Sequence, residues 1–110
     1  MKLYHKNIFM PKVDMQKFWD GFERVNFTHH FMVRARQKRL PLVQKDKLSK
    51  NMVFEMAMSG DKIIKVCVRI PMRQCDFCYV VASNGSIITG WRAYKWETFD
   101  KPNIERYDKE

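Results

Sequence analysis

His30, Arg34 and Lys38 recur at intervals of four within "THHFMVRARQKRL", Thr28 to Leu40, and Arg39 stands beside the last of them. Residues four apart project from one face of a helix, so this spacing aligns an imidazole, a guanidinium fork and an ammonium group along one stripe. Phosphate binding needs only the cations. Metal-free phosphodiester cleavage also needs a group that titrates near neutral pH, and histidine is the side chain that does so unperturbed. His30 with Arg34 would supply proton transfer and a fork for the charge that grows on the phosphorane oxygens. Such a site acts on RNA, because the 2′-hydroxyl is its built-in nucleophile. The bland alternative is a His30 that caps or packs beside solvated cations. His29 points about 100° away from His30 on the same helix, so a supporting or structural role is expected for it.

Charge points the same way. Lys plus Arg number 21 against 12 acids, a formal +9, which favours a polyanionic partner, with nucleic acid first. Between Thr28 and Lys50 the cations Arg34, Arg36, Lys38, Arg39, Lys45, Lys47 and Lys50 face only Asp46, so the excess is concentrated there. Near the far end of the chain, Tyr94 and Trp96 are candidates to stack on unpaired bases, whereas Trp91 is expected to be half-buried. RNA, single-stranded before double-stranded, is the expected partner; a protein such as an antitoxin, a ribosome or a host enzyme is the other class considered. Salt would weaken either contact, so it does not separate them.

Other chemistries lack their residues. Paired carboxylates at catalytic spacing, a glycine-rich phosphate loop and a nucleophilic Ser or Cys with a neighbouring His are all missing from the sequence pattern. "CDFC", Cys75 to Cys78, has the gap of a zinc half-site or redox pair, but no second CxxC or HxxxH follows and the motif leads into a strand. No metal and no cofactor are expected. Three cysteines, an odd number, fit reduced thiols better than a disulfide framework. No run approaches the roughly 18 to 20 apolar residues of a membrane span, and the N-terminal stretch lacks an apolar region with a cleavage site, so a cytoplasmic location is expected.

The elements that must position these groups follow from periodicity. Asp14 can cap a helix carrying Met15, Phe18, Trp19, Phe22 and Val25 at helical spacing, weakened at Gly21. Thr28 is a plausible N-cap for the histidine helix, with Phe27 placed to staple against Met32 and Pro41 ending it or starting the next turn. "LVQKDKLSK" suggests a short third helix. Beyond Lys50 the period becomes alternating, and "MVFEMAM", "KIIKVCVRI", "FCYVVAS" and "SIITGWRAYKW" read as strands. Asn84-Gly85 marks a tight hairpin because both residues accept positive φ. Alternation puts Ile64, Val66, Val68 and Ile70 on one face, and Ile87, Thr89 and Trp91 together on another. The expected fold is α+β: two or three N-terminal helices packed on a four-stranded antiparallel meander, one domain over 1–110, with 97–110 a strap or flexible tail.

"HFMVRARQKRL" together with "KVCVRIPMRQCDFCYVVASNGSIITGWR", Lys65 to Arg92, resembles the small endoribonucleases of the barnase/EndoU/colicin/RelE superfamily, in particular its RelE- and RegB-like members. Those domains begin with a helix bearing His, Arg four later and a further cation, then continue into a sheet ending in T-x-W. The likeness covers about two thirds of the chain. It implies metal-independent cleavage of RNA by 2′-hydroxyl attack to leave a 2′,3′-cyclic phosphate, as in phage- or toxin-type ribonucleases. By the same likeness His30 is the general base or acid, Arg34 stabilises transition-state charge, and Thr89 donates to or positions the phosphate. Lys38, Arg39 and Arg69 hold the flanking backbone; apart from the likeness, Arg92, Tyr94 and Trp96 are further expected RNA contacts. Lys38-Arg39 departs from the cation-Gly ending of the related helices. The competing expectation is a non-catalytic basic protein that binds nucleic acid or inhibits a host enzyme.

Overall fold

Strand pairing reaches further along the chain than its alternating segments indicate. The computed structural model describes residues 1–107; the last three positions of the expected C-terminal strap, 108–110, lie outside the described residues. Strand β1 (Lys2–His5) is followed by helix α1 (Met15–Asp20), strand β2 (Asn26–Phe27) and helix α2 (His29–Lys38). Strands β3 (Val53–Ser59), β4 (Lys62–Pro71), β5 (Asp76–Ala82) and β6 (Ser86–Ala93) then form an antiparallel run. All six belong to one sheet in the order β1-β3-β4-β5-β6-β2, mixed because β2 lies parallel to β6.

This corrects the α+β expectation of two or three helices on a four-stranded meander: the fold is mostly β. Of the two α-helices among the described residues, only α2 is longer than six residues. Asp14 does cap α1, its carboxylate accepting from the Lys17 amide at 3.1 Å, but the helix ends at Gly21, so Phe22 and Val25 enter the core from irregular backbone. The expected third helix is two separate 3₁₀ turns, Lys45–Lys47 and Lys50–Met52, because its charged sequence has no apolar stripe to bury.

Two apolar layers flank the sheet. Phe18, Trp19, Phe31, Val66, Tyr79 and Ile87 belong to the layer under α1 and α2. Phe54, Cys67, Cys78, Val80, Ile88 and Tyr107 belong to the other, closed by the segment after β6. Bulges decide which residue goes where. Ala57 pairs with Lys65 and Met58 with Ile63, which leaves Ile64 unpaired; Ile63 therefore joins the first layer and Ile64 the second. The β5–β6 turn uses positive φ at Gly85 (+88°) but not at Asn84, whose side chain instead accepts from the Ser86 amide at 3.0 Å. A Cβ at Gly85 would lie 2.7 Å from the Arg24 carbonyl, so only glycine fits there.

In the second layer Glu55 is fully buried. One carboxylate oxygen pairs with Arg106 and the other accepts from the Tyr107 hydroxyl at 2.6 Å. Burial, reinforced by Cys67 and then by Glu55, raises the Tyr107 phenol far above its ordinary value, which keeps that hydroxyl a donor. The three cysteines are free thiols, and burial pushes Cys78 up to about 12. Among the described residues no helix is long and apolar enough to cross a membrane.

Candidate active site and nucleic-acid interface

Helix α2 begins where β2 ends and closes the edge of β6 that β2 leaves open. The Thr28 hydroxyl caps the helix, accepting from the Phe31 amide at 3.1 Å, and is also within donating distance of the Ile87 and Ile88 carbonyls, at 3.2 and 3.1 Å. Further along, the Arg34 Nε donates to the Gly90 carbonyl at 2.6 Å. At the far end, an Arg92 Nη donates to the Lys38 and Arg39 carbonyls at 3.3 and 3.2 Å. The helix thus runs alongside β6, fastened at its start, middle and end. Gly90 permits the close approach: a Cβ there would sit 3.2 Å from the Phe31 ring and 3.0 Å from the Cys78 carbonyl. Arg39 takes the left-handed conformation (φ 54°) and ends the helix, before Pro41 is reached.

A bulge at Ile88 sets the site. Val81 pairs with Ile87 but Val80 with Thr89, so Ile88 is the extra residue and the strand re-aims Thr89. Thr89 is buried, and its hydroxyl lies 3.5 Å from Nε2 of the half-buried His30, the long limit for a hydrogen bond. His30, Arg34 and Thr89 are therefore brought together around one stretch of β6. No other hydrogen bond or ion pair to a described residue occupies the Arg34 guanidinium, which leaves its Nη groups open to a ligand.

Around this cluster His29, Arg36, Lys38, Arg39 and Arg92 are exposed. The three ion pairs among the described residues are Arg69–Asp76, Lys95–Asp76 and Arg106–Glu55, so no α2 cation is neutralised by an acid. These uncompensated cations are suited to binding phosphates.

Arg69 is not brought to this cluster. Its Nε pairs with Asp76 at 2.7 Å, and its Nη groups donate to the Glu97 and Tyr94 carbonyls at 2.7 and 2.9 Å, so all its edges are engaged in holding the chain after β6. Burial of Asp76 would raise its pKa, but the hydrogen bonds and charges of Lys95 and Arg69 outweigh that and hold the carboxyl below its ordinary value. Sequence reasoning did not find Asp76 or Glu97 in this clamp; an Arg before and an Asp after the hairpin turn was the available signal. Tyr94 and Trp96 lie beyond the end of β6, exposed and stacked on each other. A cavity of about 210 Å³ lined by His5, Phe54, Arg69, Thr98 and Phe99 contains neither His30 nor Arg34. Neither family models, curated proteins nor solved structures yield a match to this chain.

Proposed function

We propose that the protein is a metal-independent endoribonuclease of the RelE/RegB-like kind, acting in the cytoplasm, where free thiols persist. The observation that carries this reading is the meeting of His30 and Thr89, distant in sequence, at 3.5 Å, with Arg34 anchored on the next residue, Gly90. In the proposed reaction His30 takes the proton of a 2′-hydroxyl, whose oxygen attacks the adjacent phosphorus. The P–O5′ bond breaks, the departing 5′-oxygen takes a proton from water, and a 2′,3′-cyclic phosphate is left. The Arg34 Nη groups face the charge on the phosphorane oxygens. Thr89 orients the imidazole, and Lys38, Arg39 and Arg92 hold flanking phosphates.

The test is incubation of the protein and its His30→Ala variant with mixed cellular RNA in EDTA, with product ends read for 2′,3′-cyclic phosphate. Cleavage by the parent alone is expected. A second reading, a basic binding protein without chemistry, is favoured by one observation: the Nε of Arg34 is already spent on a backbone carbonyl. Intact RNA with both proteins, alongside a retained gel shift, would establish that reading instead. Capture of an acidic protein partner and not of RNA would overturn both.

A further inference from the structure

The residues just past β6 form a hydrogen-bonded turn that exposes two aromatic rings. Tyr94 and Trp96 stack with centroids 4.6 Å apart and planes within 4° of parallel, yet they remain 58% and 76% exposed. Rings stacked for packing alone would be expected to lie against the core; these stand clear of both apolar layers. The turn carrying them is closed on itself. The Tyr94 amide donates to the Glu97 carboxylate at 3.0 Å, and the Glu97 amide donates to the Tyr94 carbonyl at 3.0 Å. It is then fastened to the sheet by Arg69, which donates to both the Tyr94 and Glu97 carbonyls. Lys95, between the rings in sequence, is tied to Asp76 at 2.5 Å, and Asp76 also holds Arg69. Arg69 therefore fixes the direction in which the rings project.

We infer that Tyr94 and Trp96 are a base-stacking platform for an unpaired nucleic-acid strand, braced by the Arg69–Asp76–Lys95 clamp. This rests on the RNA-binding part of the function proposed above and adds the form of the substrate. Charge complementarity selects nucleic acid over an apolar partner. The platform follows directly on Arg92, which joins β6 to the unneutralised cations Lys38 and Arg39. Tyr94 lies five positions beyond Thr89, about 17 Å at strand rise, so a strand lying across His30 can set a base on Trp96 a few nucleotides away. A base inside a duplex has no free face for the rings, whereas an unpaired one stacks without regard to sequence.

The test uses a single-stranded 2′-O-methyl RNA octamer, which cannot be cleaved by 2′-hydroxyl attack, so binding is read apart from chemistry. Against this probe Trp96→Ala should weaken binding about 10-fold, while Trp96→Phe should keep most of the affinity. An abasic strand of equal length should bind parent and Trp96→Ala alike, since it offers charge without rings. The inference is overturned if the parent fails to bind the octamer, if Trp96→Ala binds it as the parent does, or if the matching duplex binds as tightly as the single strand. Trp96-dependent binding without RNA cleavage would support the platform while refuting the ribonuclease. Cleavage with no dependence of binding on Trp96 would do the reverse.

Discussion

Replacing Arg106 by alanine is the most direct probe of how the C-terminal segment is held. Glu55 is fully buried, one of its oxygens pairs with Arg106, and the other has only the Tyr107 hydroxyl. The guanidinium is itself nearly enclosed, lying 5.3 Å from the Phe99 ring and 5.8 Å from that of Phe54. Removing it leaves a carboxylate in a low-dielectric site with one donor, which costs about 3–5 kcal/mol. A domain has only about 5–15 kcal/mol in total, so the loss should lower the urea midpoint by about a fifth or more, followed by tryptophan fluorescence. The control is the same substitution in a Glu55→Gln background. With no buried charge to abandon, Arg106→Ala should there cost about 1–2 kcal/mol of packing, which makes the coupling energy about 1–4 kcal/mol. An Arg106→Ala cost below about 1 kcal/mol, or an equal cost in both backgrounds, would refute the argument that the ion pair fastens this segment.

Gly90→Ala should destabilise the protein by about 1–3 kcal/mol, because its Cβ would meet the Phe31 ring; the accompanying retreat of α2 should lower RNA cleavage more than RNA binding. Lys38→Ala should weaken binding to single-stranded RNA and reduce the slope of log K against log salt by about 0.7, with no preference among sequences. The depressed pKa of Asp76 means that its stabilisation is complete above the unfolded carboxyl value, about 3.9, and is lost as pH falls through the lower folded value. Trp96 emission should therefore change only below the unfolded carboxyl value, and in Asp76→Asn the acid transition attributable to this turn should be absent.

The alternation of Val, Ile and aromatic residues made the last four strands legible, and the four-residue spacing dictated that His30 and Arg34 share a face of α2. What escaped was set by tertiary pairing. β1 has four residues and β2 two, too short for any period to register, and both exist only because β3 and β6 offer them an edge. The bulges at Ile64 and Ile88 likewise leave no mark on hydrophobicity, since either isoleucine of each pair could occupy either layer. The second of these bulges governs where Thr89 meets His30, so the helical half of the site was readable and its meeting with the sheet was not. Arg69 shows the opposite limit: charge alone suggested a phosphate contact, whereas its three donors serve the backbone and Asp76.

The two margins of the sheet are protected by different means, with a consequence for how the protein is made. On one side β2 and α2 seal β6, through α2 contacts between residues 53 to 60 apart in sequence. On the other, β3 runs buried from Val53 to Met58, and its outer partner is β1, whose Leu3 pairs with Ala57 across half the chain. Until that long loop closes, β3 presents an apolar, hydrogen-bond-hungry margin that another copy's β3 could occupy equally well. The opening strand thus acts as a guard against self-association, and the yield of monomer should depend on how quickly it docks compared with how often two unfinished chains meet.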